Sequence, residues 1–206
     1  MQPSGYCWQI NPSYREDWAL ENVVVVIGLV VLIVSYRWFQ FSRNSYALIA
    51  VFLVLHGLGT HYTYSEMPYD VWSTKLTGHS INERFDWDRN HYDRLVHFLY
   101  GLLMTLPFRE AFLHLARVRW VFWRYLLPFS FILSTSLVYE LIEWAAAVVL
   151  GGEVGMAFLG TQGDIWDAHK DSFAAVIGAL LASAVIAGFH AATGKDFARD
   201  WAQTQT

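Results

Sequence analysis

From Ser172 to Ala192 the chain carries no Asp, Glu, Lys or Arg. A run of that length matches the ~20 apolar residues needed to cross roughly 30 Å of hydrocarbon. No water is present there to satisfy backbone N–H and C=O groups, so a segment of this kind is a helix that closes its own hydrogen bonds. A second uncharged run extends from Asn22 to Tyr36. It is too long for the apolar part of a signal peptide and is expected to stay in the membrane. The rest of the chain fits the same class. It is 55% hydrophobic and 16% charged, against about 25% charged in soluble domains. The expectation is one all-α integral-membrane domain over residues 1–206, a polytopic helical bundle with about five transmembrane helices. A net charge of -4 argues against nucleic acid as a partner. Cys7 is the sole cysteine, which excludes an internal disulfide and a thiolate metal site.

The spacing of apolar and polar residues predicts helices over about 22–39, 45–64, 90–115, 120–150 and 164–192, with a polar excursion over 65–89. Residues 1–21 read as a polar tail with a short interfacial segment. The excursion is long for a loop and is expected to hold a short interfacial helix or a lid. Pro107 suggests a kink in the third helix. Gly151, Gly152 and Gly155 suggest a loose loop after the fourth, and the residues beyond 192 read as a polar tail.

Asp164, Asp167 and Asp171 stand at the mouth of the last apolar run. If the helix opens at Asp164, their i, i+3, i+7 spacing puts three carboxylates on one face. Five alternating crossings would bring them together with other polar residues. The ends of helices two and four would then share a leaflet with the starts of helices three and five. That groups His56 and His61, Asp93 and His97, Glu140 and Glu143, and the three aspartates. Asp93 and His97 are one turn apart, as are Glu140 and Glu143. Opposite this cluster lie Arg37, Arg43, Arg109, Arg117, Arg119, Arg124, Lys195 and Arg199, a larger share of the 14 Lys and Arg than the cluster side holds. The positive-inside rule then puts the cluster outside, with the N-terminus out and the C-terminus in.

A single acid at the centre of a membrane helix costs about 2.5–3.5 kcal/mol on the insertion scale, so buried acids need partners. Glu140, Glu143, Asp164, Asp167, Asp171, His56 and His61 are candidate ligands of a divalent metal. Their oxygen and imidazole donors suit Zn, Mn, Fe or Mg. Asp93, His97, Glu140 and Glu143 are candidate catalytic residues of a metal-dependent hydrolase or transferase acting on a lipid or envelope component. Two other readings compete. The cluster would serve a proton-coupled carrier, for which a homodimer would supply the repeat that one chain lacks. It would otherwise be a structural network locking helices together. Asp164 and Asp167 also fit plain helix capping.

Several stretches together resemble the YjdF-like bacterial inner-membrane proteins. They are Pro12-Ser13-Tyr14-Arg15 with Trp18 and Glu21, the segment 56–64, Tyr92 to Phe98, Tyr139 to Trp144, and Gly160 to Asp167 with Asp171. The resemblance spans about residues 12–180 and implies a multi-pass protein of the bacterial inner membrane, without a mechanism. A fainter similarity is to VanZ-like membrane proteins, carried by Arg94 to Phe98, Asp167 and Asp171. Glu143 and the 56–61 segment depart from that pattern. This second similarity points by analogy toward envelope components.

Overall fold

The computed structural model describes residue 12 and residues 15–204. Cys7 and the Ser13-Tyr14 part of the first stretch lie outside them. Among the described residues the chain is all helix and has no strand: α1 (Arg15–Ser35), α2 (Arg43–Tyr62), a 3-10 turn (Tyr64–Glu66), α3 (Tyr69–Thr77), α4 (Ile81–Phe85), α5 (Tyr92–Leu115), α6 (Val121–Leu150), α7 (Gly152–Leu159), α8 (Asp167–Thr193) and α9 (Phe197–Thr204). Four are long and apolar enough to cross a membrane: α1 over Trp18–Ser35, α2, α6 and α8.

Helix α5 does not meet that apolar criterion, because Asp93, Arg94, Arg109 and Glu110 interrupt it. Its packing shows what it does instead. Its start meets the start of α8, where Arg94 reaches Asp164 and Asp167. Its end meets the residues just after α8, where Arg109 holds Asp196. Between them, α5 and α8 touch backbone to backbone. A Cβ on Gly101 would stand 2.0 Å from the Ala175 carbonyl, and one on Gly178 would stand 2.0 Å from the Phe98 carbonyl. The two helices therefore run parallel and in register, and α5 extends as far across the bundle as α8 does. Small residues at such a contact are how membrane helices approach closely.

The other helices alternate around this pair. Ser42, the N-cap of α2, donates to Glu110 near the end of α5, while Leu55 near the end of α2 accepts from Tyr92 at the start of α5. Helix α6 runs against α8, since Tyr125 meets His190 and Ser136 meets His97. Asn22 of α1 reaches Thr60 of α2, so those two are also antiparallel. The expected convergence of helix ends is therefore present in the fold.

Several boundaries differ from the expectation. Helix α1 begins at Arg15, so Trp18 and Glu21 belong to a helix rather than an interfacial tail; Leu20 and the acids among these residues are ordinary helix formers. The last crossing begins at Asp167, not Asp164. Positive φ at Gly160 (62°), Gln162 (48°) and Gly163 (87°) prolongs the turn before it. Asp164 stays outside the helix and accepts from the Trp166 N–H at 3.0 Å. The three aspartates thus do not share one helical face. The expected loop after α6 is helix α7. A Cβ on Gly155 would stand 2.6 Å from the Ala147 carbonyl, so this glycine lets α7 fold back onto α6. The expected polar tail includes α9, whose Ala198 and Ala202 pack against Leu113. Helix α5 passes through Pro107 without interruption.

The polar excursion holds α3 and α4 as short helices. Asp70 ties them together by accepting from Ser80 Oγ (2.9 Å) and the Asn82 N–H (2.9 Å). Hydrogen bonds from the Asn82 backbone above all hold the Asp70 carboxyl below its ordinary range. Tyr69 then links the pair to the start of α5, donating to Asn82 and accepting from the His91 N–H.

Candidate polar site between the starts of helices five and eight

Two arginines organise this site. Arg89, just before α5, donates to the Thr161 carbonyl (3.0 Å) and to Asp167 Oδ1 (2.5 Å). Arg94, in the first turn of α5, donates to Asp164 Oδ2 (2.5 Å) and Asp167 Oδ1 (3.2 Å). The turn before α8 is fastened from the other side as well. Gln162 accepts from the Asn90 N–H at 2.9 Å and donates to its carbonyl at 3.1 Å. Asp164 also receives Lys170 at 2.6 Å. The hydrogen bond from Lys170, then the Trp166 N–H and Arg94, hold the Asp164 carboxyl well below the usual carboxylate range. His91 is pushed the other way from a charged state: burial, then the positive charges of Arg94 and Arg89, lower it.

Behind this rim lies a buried group of carboxylates. Asp93, Asp167 and Asp171 are all buried, and each presents an oxygen such that the three lie within 4.8 Å of one another. Asp171 is 1% exposed, and its Oδ1 accepts no hydrogen bond among the described residues. The Arg94 Nε stands 3.7 Å away. His97, one turn below Asp93, places Nε2 at 3.6 Å from Asp93 Oδ1 and 3.3 Å from Glu140 Oε1. Its Nδ1 faces Ser136 Oγ at 3.4 Å. Glu140 and Glu143 are both buried, on the inward face of α6. Glu143 lies within electrostatic reach of Asp93, Glu21, Glu140 and Asp171.

The structure thus brings Asp93, His97, Glu140, Glu143, Asp167 and Asp171 together. Asp164 stands at the rim in ion pairs. His56 bonds the Tyr64 hydroxyl through Nδ1 at 2.5 Å. Burial, then the negative charges of Glu21 and Asp93, raises that phenol well above its ordinary range. His61 packs edge-on against Tyr62. Neither of these histidines belongs to the group of three close carboxylate oxygens.

Two participants escaped the sequence reading. Glu21 is buried and accepts from the Tyr139 hydroxyl of α6. In the sequence it reads as part of the polar tail, although the helix formers Ala19 and Leu20 beside it are a usable signal. Arg89 reads as an excursion residue, and nothing local marks it as a partner of Asp167. With both included, seven carboxylates face three fixed cations, Arg89, Arg94 and Lys170. The excess negative charge suits a cation or protons. Oxygens bound to one divalent ion at 2.0–2.6 Å lie no more than about 5 Å apart, which the three aspartates satisfy.

The chain matches, over residues 6–192, the family described as "Predicted membrane protein (DUF2238)". It belongs to that family. The inner membrane protein YjdF of Escherichia coli (strain K12) is 35% identical over 184 residues, which cover 88% of this chain and 82% of that protein. No solved structure matches the chain. The family, the apolar helices and this relative agree that the protein is a multi-pass membrane protein with an inner-membrane homologue.

Proposed function

We propose that the protein holds a divalent cation at Asp93, Asp167 and Asp171 and uses it in a hydrolytic or transfer reaction on a lipid or envelope component at the membrane surface. One observation carries this reading. Asp171, 1% exposed, has a carboxylate oxygen that accepts no hydrogen bond among the described residues and has Arg94 Nε only at 3.7 Å, and the residue stands against two more buried aspartates. A buried carboxylate oxygen left without a hydrogen bond costs about 1–3 kcal/mol, which a bound cation would offset. An all-oxygen set favours Mg or Mn over Zn or Fe. His97 lies within one turn of Asp93 and fits as a neighbouring donor or proton carrier, with Glu140 holding its ring. A cation at this place would polarise an ester or phosphoester oxygen and lower the pKa of a bound water. Arg89 and Arg94 orient Asp167 through ion pairs at 2.5 and 3.2 Å.

The reading includes an orientation. The site end is outside, because the other end gathers Arg117, Arg119, Arg124 and Arg199 around α9. The structural reading keeps one point in its favour: Arg89 and Arg94 already pair Asp167, and Arg94 Nε stands 3.7 Å from Asp171.

The test is elemental mass spectrometry on protein purified without chelator, alongside Asp171→Asn and Glu140→Gln. Near-stoichiometric manganese or magnesium in the wild type, lost in a folded Asp171→Asn, supports the centre. If wild type and variant are both metal-free after incubation with millimolar Mn2+ and Mg2+, the proposal fails and the network is structural.

A further inference from the structure

A cavity of about 840 Å3 opens inside the bundle, directly below the polar site. One face of α5 lines it at helical spacing, from Asp93 and His97 through Tyr100 and Met104 to Phe108 and Leu115. From Asp93 to Leu115 that face runs about 33 Å at 1.5 Å per residue, close to the thickness of the hydrocarbon layer. The opposite wall is α1, with Val24, Gly28 and Leu32. Helix α1 makes its main contacts with α2 and α7 and stands off α5, and its span is only 6% buried. The two ends of the cavity differ. Asp93, His97, Ser136 and Tyr139 meet at the upper end, and apart from Ser35, His56 and Thr135 the remainder is lined by apolar and aromatic side chains.

We propose that this cavity takes one fatty-acyl chain of a membrane lipid, tail down between α1 and α5, with its head beside Asp93 and His97. This deepens the reading above by naming the substrate class, and it rests on that reading only for the chemistry at the head. Three considerations select the occupant. An apolar space of this kind does not retain water. A methylene is about as large as a water molecule, at roughly 30 Å3, so the cavity takes on the order of 28 such groups. That suits one acyl chain with its linkage and falls short of the much longer polyprenyl carriers. Finally, acyl chains surround α1 on its outer side, where Val26, Ile27 and Ile33 are exposed, so the supply is adjacent.

Gly28 provides the means of testing this. A Cβ placed there meets nothing within 4 Å, so a large side chain enters the cavity without displacing a neighbour. The full chain is reconstituted into vesicles containing a phospholipid with a diazirine along its acyl chain, irradiated, and mapped by peptide mass spectrometry. Wild type is expected to label at Val24, Leu32 and Phe108 several-fold above the outward-facing Ile33, Val148 and Leu181. Gly28→Trp and, separately, Leu32→Trp are expected to remove most of the inner labelling at unchanged melting temperature. Inner labelling no greater than outer labelling, or unaffected by either tryptophan, overturns the proposal. Loss of inner labelling on adding a polyprenyl phosphate at equal concentration overturns the acyl assignment. Mn2+ binding by the wild type separates the two readings. Inner labelling in a wild type that binds no Mn2+ leaves the acyl site standing without the metal. Absent inner labelling in a wild type that binds Mn2+ removes the acyl site and keeps the metal.

Discussion

Replacing Gly178 by alanine is expected to separate the two central helices. Its Cβ would lie 2.0 Å from the Phe98 carbonyl oxygen and 2.8 Å from the Leu102 nitrogen, whereas ordinary contact starts at 3.4 Å. Both obstacles are backbone, so no side chain can rotate aside. Relief requires α5 and α8 to part by at least 1.4 Å at this point, the shortfall from ordinary contact. Overpacking of this kind costs about 1–3 kcal/mol by itself. The same separation is felt two turns above, where Arg94 grips Asp164 at 2.5 Å. Stretching that charged hydrogen bond adds to the cost. A cost of about 1–3 kcal/mol or more follows for Gly178→Ala. Gly101 faces the same contact from α5, so the double alanine variant should cost less than the sum, because one separation relieves both clashes. Gly188→Ala is the control on the same helix. Its Cβ meets nothing within 4 Å, and alanine there should gain up to ~1 kcal/mol of helix propensity. The assay is reversible unfolding in bicelles by steric trapping. Wild-type stability in Gly178→Ala would refute the backbone contact, and with it the register that places Arg94 over the aspartates.

Three further outcomes are expected. Asp196 and Arg109 form a buried two-point pair, both contacts at 2.6 Å, at the end opposite the site. Burial alone would raise the Asp196 carboxyl, but the hydrogen bonds and charge of Arg109 outweigh it and hold it low. The pair's contribution should therefore be complete above pH 3.8 and be lost as pH falls below that value, and Asp196→Asn should cost about 3–5 kcal/mol at neutral pH in the same unfolding assay. Glu110 accepts from both the N–H (2.9 Å) and hydroxyl (2.6 Å) of Ser42, the N-cap of α2. Glu110→Ala should destabilise by about 2–3 kcal/mol and raise amide exchange in the first turn of α2, and unchanged exchange there would contradict the anchor. Arg94→Gln removes a cation from between Asp164, Asp167 and Asp171. Metal-free protein should melt lower, whereas Mn2+ should bind more tightly, as measured by isothermal titration; weaker binding would mean that Arg94 supports the ligands more than it repels the ion.

The membrane class and the crossings were legible in the chain because burial in hydrocarbon is a property of runs. Ser172 to Ala192 admits no other solution. The meeting of Asp93, His97, Glu140 and the aspartates at one end of the bundle follows from counting alternations. The precise start of α8 does not, because it depends on backbone angles at Gln162 and Gly163 that composition does not fix. Helix α7 was missed for a related reason: Gly155 reads as a breaker until Ala147 is seen against it. Arg89 and Glu21 were out of reach in a different way. The partners of Arg89 lie 78 residues on, and Tyr139 lies 118 residues from Glu21.

The sequence by itself determined that this protein spans a membrane as a helical bundle and which end of the bundle is polar, since hydrophobic runs and helix alternation are local or additive properties. The tertiary structure alone decided which carboxylates are paired, which oxygen is left open, and that a cavity lies beneath them. Those depend on the Gly101–Gly178 contact that sets α5 beside α8, and on the gap between α1 and α5. Such close approaches and gaps are relations between distant segments and leave no periodic trace in the chain.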